Sequence, residues 1–341
     1  MRHHTPHGFR NNYVLSVTKS LGEVLRWQFQ RLRAGLPSKP TVATPCQAPD
    51  LEFIHRNAQA PHMVPALTWI GHASALVQAD GLNVLTDPIF SRRASPLRFL
   101  GPARAHPPGL ELSQLPHIDV VVISHNHYDH LDHPSIVALS QQAGGSPLFL
   151  TPLGLKSWLA RQGVDRAIEL DWWQRHEVAG VEFHCTPAQH WSGRSLSDRN
   201  KTLWCAWSVL GTGTHWFFSG DTGYSRDFAD TRQHFSARQG PEAGGGFDLA
   251  LIAVGACLPR WFMQLQHVDI SEAVQVHLDL GAKRSVGVHW GTFSLADEPL
   301  DQPIHELGAA RAEKGVREEE FFIMPIGATR QIPPRDSGSR P

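Results

Sequence analysis

The segment His125-Asn-His-Tyr-Asp-His130 sets three imidazoles and one carboxylate within six residues, directly after the β-branched run Val120-Val-Val-Ile-Ser124. That run reads as a buried strand. A tight turn at its end can aim all four side chains into one space. His125 and His127 alternate, so an extended stretch points them the same way. Asp129 and His130 then curve toward a neighbouring position. Imidazole and carboxylate are donors for a first-row divalent cation, zinc above all. Four such groups exceed the three protein ligands of an ordinary catalytic site and suggest two adjacent cations. The plain alternative is a polar turn with chance histidines. With 21 His in 341 residues, scattered His carry little information. Clustering at a strand end is what sets this segment apart.

Two cations need more donors, and three residues have the same setting. His190 ends Phe183-His-Cys-Thr-Pro-Ala-Gln-His190, Asp221 ends Trp216-Phe-Phe-Ser-Gly-Asp221, and His289 ends Ser285-Val-Gly-Val-His289. Each is an apolar strand-like run closing on a donor. Singly, such a residue is more often a structural hydrogen bonder. Together with the first cluster they form a candidate set.

The elements that must position these residues follow from hydrophobic period and turn chemistry. Strands are expected at 66–70, 75–78 and 82–86, with Asp80-Gly81 as a hairpin turn. Further strands are expected at 148–151, 181–185, 202–210, 215–218, 247–254, 285–289 and 321–326. Helices are expected at 134–142, 154–162 and 271–280, the last opening on Asp269 and Ser271. This is a mixed α/β chain. The donors span 125–289 without a linker, so one large domain, 61–332, is expected after an N-terminal arm of 1–60. The polar tail 333–341 reads as disordered.

Composition fits a soluble globular enzyme: 41% hydrophobic residues and a net charge of −1. The four cysteines show no paired spacing, and Cys185 and Cys205 sit in apolar runs as packed thiols. A reducing, cytoplasmic setting is the simpler reading. No secretory signal and no apolar run of spanning length are visible. Residues 1–40 hold seven Lys/Arg against one Glu, a net of +6, which leaves the remainder near −7. In this arm Val14, Val17, Leu21, Val24, Leu25 and Leu32 recur at helical spacing among Arg26, Arg31 and Arg33. Such a helix either covers the domain's own core or lies at the inner face of a membrane as a peripheral contact. The acidic remainder argues against nucleic acid as a partner. Nothing in the pattern fixes the oligomeric state, and a homodimer is allowed.

The order H-x-H-x-D-H, then His, Asp and His, resembles the metallo-β-lactamase superfamily. Further segments resemble one subgroup, the N-acyl-phosphatidylethanolamine-hydrolysing phospholipase D family. They are Trp69-Ile-Gly-His-Ala-Ser74, Leu85-Thr-Asp-Pro-Ile-Phe-Ser-Arg-Arg-Ala-Ser-Pro96, Leu170-Asp-Trp-Trp173, Gly220-Asp-Thr-Gly-Tyr224, Pro259-Arg-Trp-Phe-Met263 and His289-Trp-Gly-Thr-Phe293. The similarity runs from about Phe9 to Gln331. It departs at a Gly-rich stretch near 236–246 and at Gly193, where mammalian members carry a basic residue.

The resemblance implies an αβ/βα sandwich of two mixed sheets with helices outside and two Zn2+ at one edge. His125, His127 and His190 would hold one ion, and Asp129, His130 and His289 the other, with Asp221 bridging. Asp129 and Asp221 are thereby the catalytic carboxylates of a hydroxide attack on phosphorus. Tyr128 and His267 would contact a phospholipid, giving N-acylethanolamine and phosphatidic acid. Other divalent metals suit the same donors. A lactonase, or another hydrolase on the same fold, is the rival reading. Two residues are candidate braces for the ligands: Asp87 at the end of the 82–86 strand, and His72 after Gly71. Trp191, Trp261, Phe262, Met263 and Leu265 are candidates to line an apolar groove at the site mouth.

Overall fold

In the Val120–Val122 strand and the residue after it, every side chain is buried, and successive side chains enter two different cores. Val120 and Val122 join one cluster with Trp69, Val84, Phe183, Trp207 and Phe218. Val121 and Ile123 join another with Leu76, Leu85, Ile136 and Phe149. A strand apolar on both faces must be covered on both, which is why this run does not alternate with polar residues.

The computed structural model describes residues 3–195, 197–240, 242 and 245–335. A short hairpin, β1 (His4–Thr5) and β2 (Gly8–Phe9), is followed by α1 (Leu21–Ala34) and α2 (Leu51–Ala58). Then come β3 (Ala66–Gly71), β4 (Ser74–Ala79), β5 (Leu82–Thr86), β6 (Val120–Val122), α3 (His133–Ser140), β7 (Leu148–Pro152), α4 (Lys156–Arg161) and β8 (Ala167–Leu170). The second half holds β9 (Arg175–Val178), β10 (Val181–Thr186), β11 (Ala206–Leu210), β12 (His215–Phe218), α5 (Asp227–His234), β13 (Leu249–Ala253), α6 (Arg260–Met263), α7 (Ile270–Leu280), β14 (Ser285–Val288), α8 (Gln302–Lys314), β15 (Phe321–Phe322) and β16 (Thr329–Gln331).

Two seven-stranded mixed sheets result, in the orders β16-β3-β4-β5-β6-β7-β8 and β15-β14-β13-β12-β11-β10-β9. They pack face to face over the larger core, where Trp69, Trp207, Phe183 and Phe218 are fully buried. Ile54 of α2, Ile136 of α3 and Leu159 of α4 cover the outer face of the first sheet. Val274 and Val276 of α7 and Leu307 of α8 lie in the cluster that includes the second. This is the expected sandwich with helices outside.

The topology decides where strands end. β5, β6 and β7 run parallel, and β3 shares their direction because β4 is antiparallel to both neighbours. In the other sheet β12, β13 and β14 are parallel, and β10 shares their direction through antiparallel β11. The C-terminal ends of β3, β5 and β6 fall on one edge of one sheet. Those of β10, β12 and β14 fall on one edge of the other.

Several expected elements differ. The 202–210 strand is ordered as a strand only over β11, because Leu203 N–H and Cys205 N–H donate to Leu153 and Ser124 in loops of the opposite sheet. The 321–326 strand is only β15, since Pro325 has no N–H and Ile326 pairs with Cys46 instead. The helix expected around Val14 and Val17 begins at Leu21, where Ser20 and Glu23 form a reciprocal capping box. Residues 336–341 of the expected tail lie outside the described residues. Arg335 is held: its guanidinium meets Asp248 at 3.0 Å and its N–H donates to the Gly213 carbonyl. All four cysteines are free. No described helix is long and apolar enough to cross a membrane.

Candidate metal centre

All the strand-end donors meet. His125 Nε2 lies 2.8 Å from His127 Nδ1, and His190 Nε2 lies 3.3 Å from the same atom. Asp221 Oδ2 is 3.8 Å from the Nε2 atoms of both His125 and His190. Across Asp221 stands the other group. His130 Nε2 is 3.1 Å from Asp221 Oδ2 and 3.3 Å from Asp129 Oδ2. His289 Nε2 is 3.1 Å from Asp221 Oδ1 and 3.4 Å from Asp129 Oδ2. Asp221 therefore reaches into both groups.

The donor set fits divalent cations on its own chemistry. Most of these side chains are buried, and His130 Nε2 and Asp221 Oδ1 have no hydrogen-bond partner among the described residues. Burial pushes His127 down to about 4 and His190 down to about 3, so both imidazoles are neutral and their lone pairs free. Against burial, which lowers it, Asp221 and Asp129 raise His289 to about 9, and they hold His130 well above its ordinary value. The two carboxylates lie well below their usual range: burial pushes them up, but His130, His289 and the neighbouring imidazoles together outweigh it. The centre thus favours positive charge between Asp129 and Asp221, which is what bound cations supply.

The braces are equally specific. His130 Nδ1 is 2.7 Å from Asp87 Oδ2, and the same carboxylate accepts Ser124 Oγ at 2.5 Å and Ser124 N–H at 2.7 Å. Ser124 Oγ in turn lies 2.8 Å from His125 Nδ1. His190 Nδ1 donates to the Gln266 carbonyl at 2.8 Å. His72 Nε2 is 3.0 Å from Asp129 Oδ2, and its carbonyl accepts His289 N–H at 2.9 Å. Such contacts fix the tautomer and the orientation of a ligand. His72, Asp87 and His289 all have positive φ, at 54°, 31° and 62°. Three of the eight described non-glycine residues with positive φ thus lie at or beside these donors. Gly220 also has φ of 54°, and a Cβ there would sit 2.5 Å from the Ser124 Cβ, so only glycine lets Asp221 approach the β6 loop.

His267 lies inside the centre. Its Nδ1 is 4.0 Å from Asp221 Oδ2 with no hydrogen-bond partner, and its ring stands 5.2 Å from that of His190. Tyr128 lies against Arg194. Its hydroxyl donates to the Arg194 carbonyl at 3.0 Å, its ring faces the Arg194 guanidinium, and it walls a cavity of about 630 Å³ with Trp158 and Leu97. The expected apolar groove is only partly present. Phe262 and Met263 are buried under α1 with Ala256 and Ala296, because Trp27 stacks on Phe262 at 4.7 Å. Trp191 stands edge-on to His127 at 4.1 Å.

One residue had no local signal. Asn11 Oδ1 accepts His190 N–H at 3.0 Å, and Asn11 Nδ2 donates to the His190 carbonyl at 2.9 Å. The buried amide pairs with His190 as a neighbouring strand would. Asn11→Ala is expected to weaken the cation position of His125, His127 and His190 about 10- to 100-fold, leaving the other position occupied. Equilibrium dialysis with elemental analysis reads this, and equal loss from both positions would contradict it.

Comparison with known proteins agrees with this geometry. The beta-lactamase superfamily domain matches residues 82–290. An uncharacterized protein of Mycobacterium tuberculosis is 43% identical over 278 residues, covering 80% of this chain and 69% of that protein. The N-acyl-phosphatidylethanolamine-hydrolyzing phospholipase D 1 of Caenorhabditis elegans is 38% identical over 275 residues, covering 76% of this chain and 74% of that protein. Among solved structures, an isothiocyanate hydrolase from Delia radicum gut bacteria has a TM-score of 0.60 at 19% identity, covering 78% of this chain and 99% of that chain. At that identity the likeness shows the fold.

Proposed function

The chain belongs to the metallo-β-lactamase superfamily and is a metal-dependent hydrolase with a buried His/Asp centre; from that premise we propose that it is a zinc phosphodiesterase of phospholipase D type. Its substrate is N-acyl-phosphatidylethanolamine, and its products are N-acylethanolamine and phosphatidic acid. The observation that carries the hydrolytic part is the meeting of two donor groups on one carboxylate, Asp221. The substrate rests on similarity to the nematode enzyme and on the quoted motifs.

His125, His127, His190 and Asp221 would hold one cation, and Asp129, His130, His289 and Asp221 the second. Two such cations supply Lewis acidity to a phosphoryl group and lower the pKa of water toward neutrality. The chain's own residues do the rest. Asp87 and the Gln266 carbonyl keep His130 and His190 in one tautomer. Asp221 carries negative charge into the middle of the centre. His267, pushed by burial down to about 3, is neutral and offers one ring nitrogen without a partner beside Asp221. It orients a phosphoryl or leaving oxygen by one hydrogen bond. His267→Ala is expected to lower kcat/KM about 100-fold with metal content unchanged. Loss of metal in that variant would make His267 a ligand instead.

The same reading places a lipid surface at α1. Leu21, Leu25, Phe29 and Leu32 are 75, 59, 65 and 83% exposed, whereas Val24 and Trp27 on the other face pack on the core. Lys19, Arg26, Arg31 and Arg33 lie in or next to the same helix; Arg31 is drawn to Asp297 at 3.6 Å, and Lys19 and Arg26 lie over the Phe262 and Trp261 rings. An apolar stripe bordered by cations suits anionic lipid. Replacing Leu25 and Phe29 by Ser is expected to weaken binding to phosphatidylglycerol vesicles about 100-fold and to leave hydrolysis of a soluble phosphodiester intact. Unchanged vesicle binding would assign the stripe to another partner, a second copy of the chain included.

The deciding experiment is mass spectrometry of products from purified protein given N-acyl-phosphatidylethanolamine, phosphatidylcholine and a lactone panel, with and without chelator. Chelator-sensitive release of phosphatidic acid supports the reading. Turnover of lactones alone transfers it to the lactonase class.

A further inference from the structure

Consecutive residues of an extended chain point to opposite sides, yet His3 and His4 converge. The Nε2 of each lies 2.7 Å from a different oxygen of one carboxylate, Asp171. Their rings are 4.6 Å apart, and the His3 ring rests on Trp172 at 4.4 Å. Asp171 directly follows β8, so a sheet end and the N-terminal hairpin meet here. His3 and Asp171 are buried, and the His4 side chain is 42% exposed, which leaves one side open.

We propose that His3, His4 and Asp171 form a third divalent-cation site, sharing no residue with the binuclear centre, that fastens the N-terminal hairpin to the sandwich. The class of ligand is a borderline transition cation, zinc or copper, for which two imidazoles and a carboxylate are suitable donors. The three donor atoms all lie within 4.8 Å of one another. Tetrahedral zinc at about 2.0–2.1 Å from each donor separates the donors by about 3.3 Å. The two 2.7 Å imidazole–carboxylate contacts must therefore open by about half an ångström to admit the ion. Spacing in the binuclear centre is equally tight, at 2.8 Å between His125 and His127.

Charge supports the site. Asp171 is a buried carboxylate with no Lys or Arg partner among the described residues, only two imidazoles and the Trp172 N–H at 2.8 Å. Burial lowers His3, which favours its neutral, ligand-competent form beside the carboxylate. With a cation bound, each neutral imidazole would carry its proton on Nδ1 and turn the Nε2 lone pair inward, the cation would compensate the carboxylate, and water would fill the fourth position on the exposed side. The consequence reaches the active centre through the chain itself. The hairpin leads directly to Asn11, whose amide pairs with His190.

The test uses the full-length protein and zinc alone. Wild type, His4→Gln and Asp221→Asn are dialysed against buffered zinc, and bound metal is counted by elemental analysis beside the melting temperature. Wild type is expected to take up three equivalents, His4→Gln two, and the rise in melting temperature that accompanies the third equivalent is absent from His4→Gln. Asp221→Asn keeps the hairpin equivalent while losing metal elsewhere, which separates this site from the binuclear reading. The proposal is overturned if wild type saturates at two equivalents, because the two imidazoles then simply donate protons to Asp171. It is also overturned if His4→Gln retains three.

Discussion

Asp221→Asn is expected to lower kcat/KM by about 10³-fold or more, roughly 4 kcal/mol of transition-state stabilisation, and to weaken both cation positions together. The reason is positional. Asp221 follows β12 through Gly220, and its two oxygens reach different groups: Oδ2 lies 3.1 Å from His130 Nε2 and 3.8 Å from the Nε2 atoms of His125 and His190, while Oδ1 lies 3.1 Å from His289 Nε2. Asn keeps the size and removes the charge. Two cations about 3.5–4 Å apart would then face each other without an anion between them. The amide nitrogen would also aim a donor at atoms that are themselves donors. Metal counting and steady-state kinetics on the same preparation check this. A variant that holds two equivalents and works within tenfold of wild type would show that Asp221 does not bridge.

That residue, like His190 and His289, was legible because the fold puts function where a buried strand ends. A short apolar run closing on a lone His or Asp is a weak sign singly. The topology makes it strong, since β6, β10, β12 and β14 all finish on the facing edges of two sheets. Asp87 and His72 were readable for the same reason, each one residue past β5 or β3. The start of α1 was missed: apolar spacing begins at Val14, whereas the structure starts the helix at Leu21 through the Ser20–Glu23 capping box.

Other features left no local trace. Asn11 is 179 residues from the ligand it holds, and a polar residue in a basic arm looks the same whether it braces a metal ligand or faces water. Phe262 and Met263 read as groove residues, but their neighbour across space is Trp27, and only the packing of α1 decides that they are covered. α5 is mostly polar, with only Phe228, Thr231 and Asp227 buried, so its period is too faint to announce a helix. Tyr128 sits between two ligands in sequence, and its hydroxyl donates to the Arg194 carbonyl, a contact between loops from different sheets that the sequence does not announce.

Asp87→Ala is the second large effect expected, and it separates bracing from mere packing. The Asp87 carboxylate is fully buried and accepts the Ser124 N–H and the Ser124 hydroxyl, with His130 Nδ1 at 2.7 Å. Removing it leaves a backbone N–H, a hydroxyl and an imidazole nitrogen without partners in the core. Each orphaned group costs about 1–3 kcal/mol, so a loss of about 3–5 kcal/mol in unfolding free energy is expected. Packing alone would end there. Bracing adds a different signature, because His130 is a donor of only one cation position. Freed to rotate and to change tautomer, it should weaken that position about 10- to 100-fold. The position of His190, whose Nδ1 is held independently by the Gln266 carbonyl, should change much less. Thermal unfolding of the metal-loaded protein and stepwise metal titration read the two effects separately. A lowered melting temperature with both metal affinities unchanged would make Asp87 a structural residue only, and equal weakening at both positions would mean that the whole His125–His130 loop had lost its shape.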